Sequence, residues 1–392
     1  MTKGSLSWIS LIPLFMSVEV IHGETEVCGI FKHAQEWTAK ESPYLVTGNI
    51  VVSSSAILRI GPGVVVKFLR HPKPCTEEKK ILTEAEKEEE KKKKVAEKKI
   101  GLTQDFAENN LLSITIEGGF YCLGEPGQPV VFRPQLDSLV VGWEGIQLKG
   151  IDWGKAEIAY TEFHGANRAV RVEDSRFPIH HTLFLENNVG LWLGLRADLV
   201  IVHSHFEKNR SAGIRLAKAS PSIVNNVFYH NLAHGIWVAE GGFLNIAYNA
   251  FFENGEENCF HGPHGILRPV QKNANGDTVD AYFNLVADPV FIGSASDQAQ
   301  IANDFHLETP AHLVKDPKLA EMEKKSRLKF WKSSSPAQLP FSPRGKGSYV
   351  LSRYSKLLHA GYPAKEFHNP DGSDADIGLN GGFSGRLPRS PF

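Results

Sequence analysis

The sequence predicts an all-β solenoid, a right-handed parallel β-helix. Three observations predict it: a repeat of 21 to 23 residues, a short strand pattern that recurs once per repeat, and no helical periodicity within the unit. The period is marked by Phe163, Phe184, Phe206, Phe228 and Phe251, of which the last four open Phe-x-x-Asn units ending at Asn187, Asn209, Asn231 and Asn254. Ile158, Ile179, Ile201, Ile223 and Ile246 each stand five residues ahead of a repeat Phe. Such a unit cannot bury its apolar face alone, but stacked units bury it continuously. Leucine-rich repeats need a Leu-x-x-Leu-x-Leu framework that is missing, and propeller blades need about twice this length.

A second strand follows each Asn. It reads Gly145-Ile-Gln-Leu148, Ala169-Val-Arg-Val172, Gly190-Leu-Trp-Leu193, Gly213-Ile-Arg-Leu216 and Gly235-Ile-Trp-Val238. The recurrent Asn is expected to stack on itself at each turn, its amide bonding the next coil at a strand spacing of about 4.8 Å. Two further series, Tyr160/His181/His203/Asn225/Tyr248 and Thr161/Thr182/Ser204/Asn226/Asn249, read as polar ladders as well. His181 and His203 are read as stacked, hydrogen-bonded rings in preference to a metal or acid/base pair.

The remaining segments fall around this core of 113–310. Lys3 ahead of an apolar stretch from Leu6 to Ile21 reads as a signal peptide over 1–23. Export to the periplasm, the medium or the cell surface follows, with no membrane span left after cleavage. N-terminal coils are expected over 24–69, with strands from Tyr44 to Phe68. Residues 70–112 form a charged insertion; its centre, Glu77 to Lys99, has eight acidic and nine basic residues at helical spacing, so a solvated helix is expected. A basic helix from Lys315 to Lys332 and a closing segment occupy 311–382, and 383–392 form a loose tail. His264-Gly-Ile-Leu267 is read as the start of one more coil. Four cysteines, Cys28, Cys75, Cys122 and Cys259, permit up to two disulfides in three connectivities or none.

With 43 Lys plus Arg against 44 Asp plus Glu, the chain as a whole favours neither nucleic acid nor an anionic membrane. Any charge-based function must be local.

The coils, the Asn284-Leu-x-x-Asp-Pro-x-Phe291 segment and the Pro370-Asp-Gly-Ser-x-x-Asp-Ile-Gly-x-x-Gly-Gly382 ending resemble secreted bacterial proteins of the pectate-lyase-like, right-handed parallel β-helix superfamily. The resemblance spans about 44–382 and breaks at the charged insertion and the basic helix. That fold hosts lyases, hydrolases, esterases, epimerases, tailspikes and adhesins, so function must be argued from a site.

The site the pattern offers is a column. The third residue of each Gly-Ile-x-Leu strand points outward, giving Gln147, Arg171, Trp192, Arg215 and Trp237 in one row about 19 Å long. Indole faces suit pyranose stacking and guanidinium forks suit carboxylate or sulfate, so a polysaccharide, anionic and uronate-like, is the expected partner. Arg–Trp stacking that merely stabilises the surface is the competing account, and a non-catalytic structural or adhesin role the competing function. As an enzyme the chain would be a polysaccharide lyase or a glycoside hydrolase. The resemblance implies an Arg or Lys base for a lyase, and Arg171 and Arg215 are the candidates. No cofactor is expected; calcium recruited by Glu144, Glu173 and Asp174 is the nearest alternative, although they lack a recognisable ligand spacing. Asp371, Asp374 and Asp376 read as a closing turn. Polygalacturonase and uronate-epimerase motifs are missing, and Gly262-Pro-His-Gly265 echoes the former only loosely.

Overall fold

The computed structural model describes residues 23–70, 111–136 and 141–291, the stretches 355–364 and 373–379, and isolated positions beside them. The signal segment, the centre of the charged insertion and the basic helix lie outside the described residues. Among the latter, no helix is long and apolar enough to cross a membrane.

The architecture is a right-handed parallel β-helix with three faces, each visited once per coil. The phenylalanine face holds Val65–Phe68, Val130–Pro134, Thr161–His164, Leu183–Leu185, His205–Glu207, Val227–Tyr229, Ala250–Phe252 and Leu285–Val286. The chain then turns into the tryptophan face: Ser113–Ile116, Gly145–Lys149, Arg168–Glu173, Val189–Leu193, Ala212–Ala217, His234–Glu240 and Glu257–Phe260. It completes the coil on the isoleucine face, whose eight strands run from Gln35–Trp37 to Asn245–Ala247. The first two coils make the first two faces with one bent strand each, Thr25–Phe31 and Tyr44–Val52. The coil through Thr25 lies within the N-terminal coils expected over 24–69, one coil ahead of the strands read from Tyr44. Its alternation is too short to read unaided.

Inside, the repeat phenylalanines stack ring on ring at 5.0, 5.2, 4.7, 5.0 and 4.8 Å from Phe132 to Phe251. The repeat isoleucines line the opposite wall, fully or almost fully buried. The Asn ladder forms as the spacing requires. The amide nitrogen of Asn187 donates to Asn209 Oδ1 at 3.1 Å, Asn209 to Asn231 at 2.8 Å, and Asn231 to Asn254 at 2.8 Å. Ahead of these Asn residues, Glu186, Lys208, His230 and Glu253 sit in the left-handed region, with φ of 48° to 57°. That conformation costs a non-glycine residue about 1–2 kcal/mol, and the ladder bonds one residue later hold it in place. Asn226, Asn249 and Asn284 repeat the device at the other corner. In the earlier coils of that corner, one residue ahead of Thr161, Thr182 and Ser204, Tyr160, His181 and His203 stack at 4.6 and 5.4 Å, so the two histidines are rungs as expected. His203 Nδ1 donates to the Gly378 carbonyl and Nε2 accepts from the Asn225 amide, which defines its tautomer.

His264-Gly-Ile-Leu267 does not start a coil. Gly265 and Leu267 have positive φ and the segment forms turns; the next rung is Leu285–Val286, reached through a small hairpin of Gln271–Lys272 and Thr278–Val279. Cys28 and Cys75 form one disulfide, and Cys122 and Cys259 are free. Burial pushes both free thiols up to about 12, which keeps them protonated and unreactive at neutral pH.

Two faces are covered from outside by the chain's own C-terminal part. Phe291, Tyr349, Leu351, Leu357 and Leu379 pack on the outer side of the phenylalanine face. Phe367 and Ala375 pack on Val202 and Val224 of the isoleucine face. A polar latch sits beneath the first cover: Glu207 accepts from the Tyr349 hydroxyl at 2.7 Å and from Lys208, with His205 Nε2 at 3.4 Å. Burial would raise the Glu207 carboxyl, but bonding and charge from His205 and Lys208 overcome it and hold it at about 2. Because this value lies below that of an unfolded glutamate, the stabilisation is complete above about pH 4.5 and is lost as pH falls toward 2. In acid unfolding across that window, Glu207→Gln is expected to remove about 2 to 3 kcal/mol of pH dependence.

Candidate functional site

The column expected from the repeat is present, rung by rung. Thr115 pairs with Gln147, Gln147 with Arg171, Arg171 with Trp192, Trp192 with Arg215, and Arg215 with Trp237. The row continues one coil further than the repeat signature, because Trp237 pairs with Phe260. Phe260 belongs to Glu-Asn-Cys-Phe, which lacks the Gly-Ile start, yet it stands 23 residues after Trp237, the spacing of the adjacent Phe228 and Phe251. The coil period alone would have found it.

Glycine at Gly190, Gly213 and Gly235 is what lets these strands lie so close to their neighbours. A Cβ at Gly213 would stand 2.7 Å from the Gly235 carbonyl oxygen and 2.9 Å from Phe206 Cβ. Further along the strand Ile214 and Leu216 are buried in the core, and the alternation turns Arg215 between them outward.

The column side chains are half-buried rather than fully exposed, since they shield one another. The Arg215 guanidinium lies 4.5 Å from the Trp192 ring and 4.2 Å from the Trp237 ring, sandwiched between two indoles. Arg168, from the start of its strand, caps the other side of Trp192 at 4.7 Å, and Arg171 approaches the same ring at 5.6 Å. Around Trp237 the set is aromatic: His234 lies 5.5 Å away and stacks on Phe260 at 4.9 Å. Arg168 and His234 share a second row with Val189, Ala212 and Glu257.

The cations differ in their partners. Arg171 is bonded to Glu173 at 2.6 Å, and Arg168 is paired with Glu144 at 3.3 Å, where Asn167 also donates to the carboxylate. Asp174 is held by Arg196, whose bond and charge lower its carboxyl below the usual range. The carboxylates considered for calcium are therefore each engaged by an arginine. Among the described residues no three His, Cys, Asp or Glu side chains are grouped to hold a metal. Asp376 takes the His359 backbone N–H at 2.8 Å, as a turn residue does, and Asp371 lies outside the described residues.

Arg–Trp stacking thus accounts for the alternation itself, while Trp192, Arg215 and Trp237 each stay partly exposed. No described segment packs over Trp192 and Trp237; their ring and cation contacts are to residues of the same face. Comparison with curated proteins and with solved structures gives no match. Residues 141–267, the coils that carry the column, match the family model for the right handed beta helix region, and with the parallel stack this identifies the fold of the chain as a right-handed parallel β-helix.

Proposed function

We propose that this protein is an exported β-helix that binds polysaccharide along its tryptophan face, the glycan running across the coils. One observation carries the reading: Trp192 and Trp237, two coils apart, are held by Arg215 on a face over which no described segment packs. Indoles fixed in this way give up little conformational freedom when a sugar ring stacks on them. Their spacing of two rungs is about 10 Å, which separates two stacking positions along an extended glycan.

The arrangement supports binding more directly than bond cleavage. Glu144 and Glu173, the carboxylates beside the column, are both tied to arginines on the same face, whereas hydrolysis needs a pair flanking the scissile bond. Arg171 and Arg215 remain the positions to test for lyase chemistry.

Affinity electrophoresis through gels containing neutral or anionic polysaccharide tests the reading. Retardation of the protein is expected, with Trp192→Ala and Trp237→Ala each weakening binding by about tenfold, the scale of a lost aromatic stack. A double variant that is folded and migrates as the parent does would overturn it.

A further inference from the structure

The tryptophan face is electrostatically uneven along its length, and the unevenness lies in how its cations are satisfied. At the end nearer the N-terminus, Arg168 and Arg171 have their charge met by Glu144 and Glu173. One coil beyond Trp192 the pattern stops. Arg215 makes no ion pair with a described carboxylate, and its Nε is buried without a hydrogen-bond partner. One rung further, His234 is more than nine-tenths buried, and its Nδ1 has no partner either, while Nε2 faces Glu256 at 3.4 Å. Both atoms flank the same indole, Trp237. Lys218 and Glu240 pair with each other on the adjoining outward positions, so neither answers Arg215.

The buried Arg215 Nε–H, which lacks an acceptor, costs about 1–3 kcal/mol unless something binds it, whereas His234, with Nε2 toward Glu256, keeps Nδ1 as an acceptor that suits a hydroxyl of the same sugar. Two indoles cover both faces of the Arg215 guanidinium, so only its edge is available, and a guanidinium edge suits the two coplanar oxygens of a carboxylate or the oxygens of a sulfate ester. Neutral hydroxyls suffice at the Arg168–Arg171 end, where protein carboxylates already occupy the guanidinium groups.

We infer that the face reads one acidic sugar, at a single subsite formed by Arg215, Trp237 and His234, and takes uncharged sugars over Gln147, Arg171 and Trp192. This rests on the polysaccharide reading above. It adds to it that the ligand carries a carboxylate or sulfate on one unit flanked by neutral ones, and that Arg215 sets specificity while Arg171 does not.

The test titrates the full chain with defined oligosaccharides, following tryptophan fluorescence: an uncharged oligomer, the same oligomer with one uronate, one with one sulfate ester, and one with acid on every unit. One acidic unit of either kind is expected to raise affinity about tenfold over the neutral oligomer, with little more from further acidic units. Arg215→Gln brings the acid-to-neutral ratio close to one. Arg171→Gln leaves that ratio near tenfold, whatever it does to affinity overall. If Arg215→Gln does not fold, Arg215→Lys keeps the charge without the fork and is expected to lower the ratio. Equal binding of neutral and singly acidic oligomers, or a gain with every added acid, overturns the inference and leaves the polysaccharide reading intact. A folded protein that responds to none of the oligomers overturns that reading itself.

Discussion

Phe206→Ala is expected to lower the unfolding free energy by about 4 kcal/mol, the upper part of the range for emptying a phenylalanine site in a packed core. Phe206 is fully buried, with Phe184 stacked at 4.7 Å on one side and Phe228 at 5.0 Å on the other. Its removal opens a void in the middle of a ring stack whose neighbours are pinned by strands in register above and below. The wall therefore cannot collapse inward, and both ring contacts are lost along with the transfer energy. Phe243, 92% exposed, supplies the contrast: Phe243→Ala should change stability by less than about 0.5 kcal/mol. Urea unfolding of the two variants checks the pair, and similar losses would contradict the assignment of the repeat phenylalanine to the interior.

Asn209→Leu is expected to cost about as much, roughly 4 kcal/mol, for a different reason. The side chain is fully buried and ties three coils together. Its amide donates to the Phe184 carbonyl at 3.0 Å and to Asn231 Oδ1 at 2.8 Å, and its oxygen accepts from the backbone and the amide of Asn187. Leucine fills the space but strips the Phe184 carbonyl and the Asn187 backbone N–H of this partner in a site water cannot reach, each at about 1–3 kcal/mol before relaxation, and takes one of two bonds from the Asn187 and Asn231 amides, which keep the Phe163 carbonyl and the backbone N–H of residue 209. The left-handed Lys208 beside it loses the bonds that hold its turn. Asn188, half-buried and bonded to Asn167 alone through its amide, should cost less than about 1 kcal/mol when changed to alanine.

These two positions also show why so much of the fold is legible in the sequence. A stacked coil places chemically equivalent residues at equal spacing, so a core position or a ladder position announces itself by recurring, as Phe206 and Asn209 do. The same logic located the column, because a residue between two inward aliphatics has only one direction left. What does not recur is hidden. Phe260 continues the column without the Gly-Ile start. His264 to Leu267 carries that start and forms a turn, since Pro263 and Gly265 impose a different backbone. The Glu207–Tyr349 latch joins residues 142 positions apart, and no local pattern announces such a contact. The half-burial of Trp192 and Arg215 is likewise a property of neighbours in different coils, and the direction of a single side chain does not contain it.

The charged insertion leaves the stack between Phe68 and Ser113, yet the strands on either side of it stay in step. Val65–Phe68 pairs with the coil above through Val131 to Pro134, and Ser113–Ile116 pairs with the coil below through Ile50 to Val52. Length added at a corner is thus invisible to the ladder, whereas length added within a rung would displace every side chain beyond it. For the lineage this divides sequence change into two kinds. A corner without a ladder Asn can take added length, while the tryptophan row can lengthen only by duplicating a whole coil, one rung at a time.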